Sequence, residues 1–181
     1  MTPNASSYID FPWLSSPPPR PAPRETLHSF VSRLAASKGV STSDFYLDMG
    51  VSLRSMAILD EEAVAAVARW AGLNAIEMDE LLSRTGVPSG NIRMTFRGQI
   101  IGSRALRNPE MRGCRKCLAK DAQRNPDFPL KEMVMRGDWL FRDVTICIEH
   151  RTPLEVLWTE HTRAMRFDIG SRLSEIAPNH Q

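Results

Sequence analysis

The sequence predicts a mainly α-helical protein with a small β element in its C-terminal half. Apolar residues recur at helical spacing between residues 27 and 82, and capping residues and glycines separate the segments. All three cysteines fall, with one histidine, into a C-x2-C pair and a C-x2-H pair. These observations predict an N-terminal helix-turn-helix-like domain followed by a zinc-binding knuckle domain with a zinc-ribbon β element. The expected divisions are an arm over 1–24, the helical domain over 25–90, the basic segment and zinc ribbon over 91–158, and a tail over 159–181.

Composition excludes several classes of protein. The 181 residues are 42% hydrophobic and 24% charged, as expected for a folded chain. The formal net charge of +2 excludes a polybasic protein of the histone type. Three cysteines are too few for a disulfide scaffold. No uncharged apolar run reaches the ~18 residues of a membrane span. We therefore expect a cytoplasmic protein without membrane contact.

Motifs of common enzymes are missing from the sequence. It contains no P-loop, no G-x-S-x-G, no H-E-x-x-H and no G-x-G-x-x-G motif. The four histidines are far apart, and only His150 has cysteines at ligand spacing. We therefore expect a protein that is not an enzyme and that has no small-molecule substrate.

The first segment is rich in proline. Six of the 13 prolines fall between residues 12 and 23, and because each fixes φ and removes a donor, an extended, polyproline-like arm is expected. A flexible tail fits the same composition. Phe11, Trp13 and Leu14 favour docking, since exposed aromatic side chains in a tail commonly cover an apolar groove. We predict that Trp13 contacts a partner, with Phe45 and Tyr46 as the next candidates.

Four helices are expected between residues 25 and 86, most of them beginning at a capping residue and each ending at a glycine. The third and fourth, which meet at Gly72, predict a helix-turn-helix, although a plain helical hairpin has the same signals. The expected helices run from Glu25 to Gly39, from Ser41 to Gly50, from Asp60 to Gly72 and from Asn74 to Gly86.

Charge divides the chain into two parts. Residues 25–83 contain nine acidic and four basic residues. A recognition helix bearing Glu77, Asp79 and Glu80 would repel phosphate, so the helical part is expected to bind protein rather than DNA.

The local net charge is positive over residues 84–124, which contain ten basic and two acidic residues. Eight of the ten are arginine, whose guanidinium suits bidentate phosphate contact, so weak binding of DNA or RNA is expected. A solvated charged face is the ordinary meaning of such a run. The predicted nucleic-acid-binding residues are Arg93, Arg97, Arg104, Arg107, Arg112, Arg115 and Lys116.

The two knuckles, Cys114-x-x-Cys117 and Cys147-x-x-His150, are the strongest motif. Three thiolates and one imidazole complete a tetrahedral shell, so one structural zinc ion without an open position is expected. A redox C-x-x-C motif is the alternative, but it normally follows a strand in a thioredoxin-like unit. Residues 138–148 between the knuckles are rich in aromatic and β-branched residues and predict a strand or hairpin.

The order of these motifs resembles the TniQ family of transposition proteins over residues 11–157. Arg24 and Arg115 stand where such families usually have Gly and Pro. The motifs that carry the resemblance are the proline-rich lead, Glu25-Thr-Leu-His-Ser-Phe-Val-Ser-Arg-Leu34, Cys114-x-x-Cys117-Leu-Ala, Arg136-x-x-Trp139 and Cys147-x-x-His150-x-x-x-Leu154.

The resemblance implies a non-catalytic accessory protein that links target-site recognition to the AAA+ ATPase and transposase of a transposon. In CRISPR-associated transposons, similar proteins join the RNA-guided effector to that ATPase. The partners expected are therefore the ATPase and an RNA-guided or DNA-binding target selector. A zinc-ribbon helix-turn-helix transcription regulator is the alternative, and it predicts a basic recognition helix. A small zinc enzyme would instead need an open coordination position.

Overall fold

The computed structural model describes residues 18–177, without the side chains of residues 163 and 164. The fold is rich in helices and has two small antiparallel sheets, as the sequence predicts. Trp13 and most of the proline-rich arm lie outside the described residues. Within residues 18–177, no helix combines the length and the apolar character needed to cross a membrane.

Five helices form the N-terminal half: α1 (Leu27–Ser37), α2 (Thr42–Asp48), α3 (Leu53–Ala57), α4 (Glu61–Ala71) and α5 (Ala75–Thr85). Ser41, Asp60 and Asn74 each accept a hydrogen bond from a backbone N–H of the following turn, which confirms three predicted N-caps. Gly72 ends α4 in the left-handed conformation, with φ 60°. Helix α3 has only five residues and is not expected from the sequence pattern.

The helical half packs around an apolar core that includes Phe45 and Tyr46. Phe45 is 3% exposed and Tyr46 is 1% exposed, and both join a cluster with Phe30 and Leu34. This burial corrects the prediction that Phe45 and Tyr46 contact a partner, because a partner cannot reach either ring. The nearby aromatic side chain that does reach solvent is Trp70, which is 55% exposed and lies edge-on to Phe45.

The C-terminal half contains two sheets and three helices. Strands β1 (Val87–Pro88), β2 (Arg93–Phe96) and β3 (Gln99–Gly102) form one sheet, and β4 (Glu110–Gly113) pairs with β5 (Glu155–Thr159). The helices are α6 (Arg115–Ala122), α7 (Arg163–Arg166) and α8 (Ile169–Ile176). The β2–β3 turn places Arg97 and Gly98 at φ 51° and 75°, the type I′ geometry that matches the twist of a hairpin.

Residues 138–148 form no regular strand and no hairpin of their own, so that prediction is wrong; the β structure there is a single antiparallel bridge between Ile146 and Pro153. Gly137–Leu140 is one turn of 3-10 helix, and further turns follow it. Trp139 and Leu140 are buried, which shows that the apolar run packs a turn into the core. A short apolar run has the same composition in either conformation, so periodicity could not distinguish them.

The segment expected to be a tail, residues 159–181, carries the core helix α8. Ile169 and Leu173 are spaced by one helical turn and are both buried. Helix α8 packs against α1 and α2. The C-terminal part of the described chain therefore closes onto the N-terminal helices, and the two halves share α1 as a common element.

Residues 131–137, which we call the strap, connect the two halves along α1. The carbonyl oxygen of Lys131 accepts a hydrogen bond from Nε of Arg33 at 2.7 Å. Arg33 also pairs with Glu25 at 2.7 Å, and both side chains are buried. Because a buried charge is tolerated only when it is paired and hydrogen-bonded, the first turns of α1 depend on the strap.

The strap approaches its neighbours closely enough to require glycine at one position. The N–H of Met135 donates to the Ser29 hydroxyl at 2.9 Å, and the N–H of Gly137 donates to the Arg24 carbonyl at 2.8 Å. A Cβ atom at Gly137 would lie 2.1 Å from the carbonyl oxygen of Arg84. Arg84 lies in α5, and a backbone atom of a helix cannot move away from the added methyl group as the end of a flexible side chain can.

We predict that Gly137→Ala destabilises the fold by about 1–3 kcal/mol, since the added methyl group overlaps a backbone atom. Gly102→Ala is the matched control, because a Cβ atom there meets nothing within 4 Å and φ is −66°. Urea unfolding of both variants measures the difference. Equal unfolding midpoints for the two variants would contradict the close approach of the strap to α5.

Candidate metal centre

Two short turns carry the four predicted ligands. Cys114 follows β4 and is the N-cap of α6, and Cys117 lies in the first turn of that helix. The second turn is closed by backbone hydrogen bonds: the N–H of Cys147 donates to Thr152 at 2.9 Å, and the N–H of Arg151 donates to Cys147 at 2.8 Å. The pairing of β4 with β5 brings the two turns together.

The four ligand atoms all lie within 4.8 Å of one another. Nδ1 of His150 is 3.5, 3.2 and 3.8 Å from the sulfur atoms of Cys114, Cys117 and Cys147, respectively. The sulfur atoms of Cys117 and Cys147 are 3.6 Å apart. Bonds of about 2.3 Å to sulfur and 2.0 Å to nitrogen give edges of about 3.5–3.8 Å in a regular tetrahedron. Donor chemistry and spacing therefore both fit a tetrahedral metal ion.

The protein environment affects the thiols unequally. Burial raises the pKa of Cys117, and the nearby Arg136 guanidinium opposes this only in part. Burial acts in the same direction on Cys114, but hydrogen bonds, first among them one from the backbone N–H of Cys117, outweigh it and lower the pKa of Cys114. A metal ion that binds all three thiolates must displace the proton of Cys117, so binding is expected to release protons.

A buried arginine of the strap lies beside the knuckles. Arg136 donates to both carboxylate oxygens of Asp121, at 3.0 and 3.2 Å, and Asp121 is fully buried in α6. The guanidinium carbon of Arg136 is 4.9 Å from the ring centre of Trp139. Its Nε atom is 3.6 Å from the carboxylate of Glu149, inside the C-x2-H turn. The Arg136-x-x-Trp139 spacing is visible in the sequence, but this connection is not, because the partners of Arg136 are remote in sequence.

The seven predicted nucleic-acid-binding residues do not share one environment. Arg97, Arg112 and Arg115 form ion pairs with Glu80, Glu110 and Glu155, at 3.0, 2.7 and 2.8 Å. In the part of the chain that the structure describes, four others are exposed and have no acidic partner: Arg93, Arg104, Arg107 and Lys116. The first three of these follow one another along the β2–β3 hairpin and the turn after it, whereas Lys116 lies on α6.

The acidic residues of α5 are partly neutralised. Glu77 pairs with Arg20 at 2.5 Å, and Glu80 pairs with Arg84 at 2.9 Å as well as with Arg97. Asp79 is exposed and lies in no ion pair within residues 18–177. The repulsion of phosphate expected from this helix is therefore weaker than the sequence alone suggests.

The fold and the site define a helix-rich protein stabilised around a Cys3His cluster. The TniQ family model matches residues 17–154, which is more than half of the chain. Comparison with the curated proteins finds no match. The chain therefore belongs to the TniQ family, a non-catalytic accessory family of DNA transposition, and the resemblance stated from its motifs is confirmed.

The structure explains both residues that differ from the expected family pattern. Arg24 replaces glycine at φ 64°, a left-handed conformation that favours glycine. Its side chain forms ion pairs with Asp138, at 3.1 Å, and with Glu149. Arg115 replaces proline at the first position of α6, where proline is well tolerated, and pairs instead with Glu155. Neither change alters a predicted metal ligand.

Proposed function

We propose that the chain is a non-catalytic adaptor of DNA transposition that links target-site recognition to the transposon's AAA+ ATPase and transposase. We also propose that the Cys3His cluster holds one structural zinc ion. Membership of the TniQ family is the observation that supports the adaptor function most strongly. A buried ligand set that suits a structural metal also supports it.

The donor set favours zinc over other common ions. Three thiolates and one imidazole suit zinc in tetrahedral geometry, whereas magnesium and calcium prefer oxygen ligands. The three cysteines are buried and His150 is half-buried, so four protein ligands would complete the shell. With no position left for water or substrate, such an ion would stabilise the fold and would not act on a substrate.

We predict one zinc ion per chain by elemental analysis of purified protein. Cys117→Ser is expected to lose the metal and to unfold or aggregate, because binding energy in such sites is folding energy. Lys116→Ser is the control, since Lys116 is exposed and adjacent but is not a ligand. Metal-free wild-type protein with an unchanged thermal unfolding curve would contradict the structural zinc.

The surface of α4 and α5 is the proposed docking site for the ATPase. An apolar groove of about 450 Å³ lies between these helices, with Glu61 and Asp79 at its edge. Trp70 is 55% exposed and Ile76 is 81% exposed on the same two helices, although neither side chain lines the groove. Apolar side chains beside unpaired carboxylates suit a partner surface that carries both apolar and basic residues. Trp13 remains a proposed anchor from the sequence alone.

We predict that Trp70→Ala weakens binding to the purified ATPase by about 2 kcal/mol, or ~30-fold, because exposed aromatic residues often dominate interfaces. The melting temperature should change little. Ile100→Ala is the control, since Ile100 is 64% exposed on β3, away from the groove. Trp13→Ala is measured alongside: a lower melting temperature would place Trp13 against its own helices. ATPase binding that survives Trp70→Ala would exclude Trp70 from the interface.

The proposed nucleic-acid contacts are the arginines of the β2–β3 hairpin and of the turn after it that lie in no ion pair among the described residues. Arg93, Arg104 and Arg107 lack acidic partners in the described chain, so their charge is available to phosphate. Lys116 is a further candidate on α6. The paired residues Arg97, Arg112 and Arg115 would first have to give up their carboxylate partners, so we propose a smaller contribution from them.

We predict weak binding of DNA that does not depend on sequence and falls steeply with salt. Changing the three hairpin arginines to Glu should lower affinity for every sequence and reduce the slope of log affinity against log salt by about 2–3, as each phosphate contact contributes about 0.9. Fluorescence anisotropy measures both quantities. The control variant changes Lys38, Arg54 and Arg69 of the helical half to Glu. An equal loss of DNA affinity in this control would contradict the proposed position of the nucleic-acid contacts.

A further inference from the structure

A groove of about 480 Å³ lies between α1, the start of α2, the loop before the strap and α8. Its walls are mainly apolar and include Val40, Phe128, Leu130 and Ala177. Hydroxyl groups of Ser32 and other polar residues interrupt the apolar surface. None of the lining residues is a metal ligand or a residue of the basic hairpin, so the groove is separate from the sites already described.

Lys131 gives this groove an uncompensated positive charge. Its side chain lines the groove and is only 5% exposed. Among residues 18–177, Nζ has no hydrogen-bond or ion-pair partner. It lies 4.3 Å from the ring centre of Phe128, a cation–π contact that offsets part of the cost of burial. A buried ammonium group without an anion is unfavourable, so an anionic ligand in the groove would be stabilised.

We propose that the groove binds a peptide segment of a partner protein in which an Asp or Glu side chain neighbours an apolar one. The carboxylate pairs with Lys131, and the apolar side chain packs against Val40 and Leu130. Because the Phe128 ring lies against Nζ of Lys131, the ring must rotate away from Nζ when the carboxylate binds. Such a peptide would bind whether or not the partner is the transposition ATPase.

The groove is poorly suited to a nucleic-acid backbone. It offers one ammonium group between apolar walls, whereas a run of phosphates needs several cations. The exposed carboxylate of Asp127 also lines the groove and would repel a second negative charge. A single carboxylate attached to an apolar body matches both the charge and the walls.

The test uses two probes, acetyl-Leu-Glu-Phe-amide and acetyl-Leu-Gln-Phe-amide, titrated into the full ¹⁵N-labelled chain. We expect the Glu peptide to bind about tenfold more tightly, equivalent to 1.4 kcal/mol, with shifts at residues 127–131 and 170–177. Lys131→Gln should abolish the preference for the Glu peptide. Lys120→Gln, which changes an exposed lysine of α6, should retain it.

A second variant guards against a folding defect in Lys131→Gln. Ser174→Phe fills the groove from α8, where Ser174 is exposed, and should weaken both peptides while Lys131 stays in place. Equal affinities of the two peptides for the wild type, or unchanged binding to Ser174→Phe, would overturn the proposal. Chemical shift changes at the groove caused by an oligonucleotide alone would also overturn it. The same holds for self-association that is lost in Lys131→Gln, and for peptide binding that requires removal of residues 178–181.

Discussion

The buried ion pair between Arg136 and Asp121 is the interaction on which the rest of the structure depends. Both side chains are removed from water, and breaking such a pair costs about 3–5 kcal/mol because one charge is then left unpaired. Asp121 belongs to α6, whose N-cap is Cys114 of the Cys3His cluster. Arg136 belongs to the strap and also reaches Glu149 in the second knuckle. One guanidinium therefore connects both turns of the Cys3His cluster to the segment that crosses α1.

This connection makes the Cys3His cluster part of a larger unit. The strap begins at Lys131, whose carbonyl oxygen accepts a hydrogen bond from Arg33 of α1 and whose side chain lines the groove between α1 and α8. The helical surface around Trp70 lies over one apolar core, and the basic hairpin lies over the other. The strap connects these two cores. An adaptor that binds two partners benefits from such rigidity, because each surface then keeps its position when the other is occupied.

Features that depend on local sequence could be predicted, and features that depend on remote contacts could not. The N-caps at Ser41, Asp60 and Asn74 and the two knuckles follow from residues within a few positions of one another. Helix α8 has two buried residues, Ile169 and Leu173, too few for a clear helical pattern in a short segment. The pairing of Arg136 with Asp121, the burial of Phe45 and the burial of the Lys131 ammonium without an anion among residues 18–177 appear only when distant segments pack together.

Backbone hydrogen exchange, compared before and after a chelator removes the metal, tests the connection between the metal centre and α1 most directly. If Arg136 joins the two, the loss of protection spreads from both knuckles through residues 131–137 to the first turns of α1, while α4 stays protected. A loss confined to residues 114–117 and 147–152, with the strap and α1 unchanged, would contradict the connection.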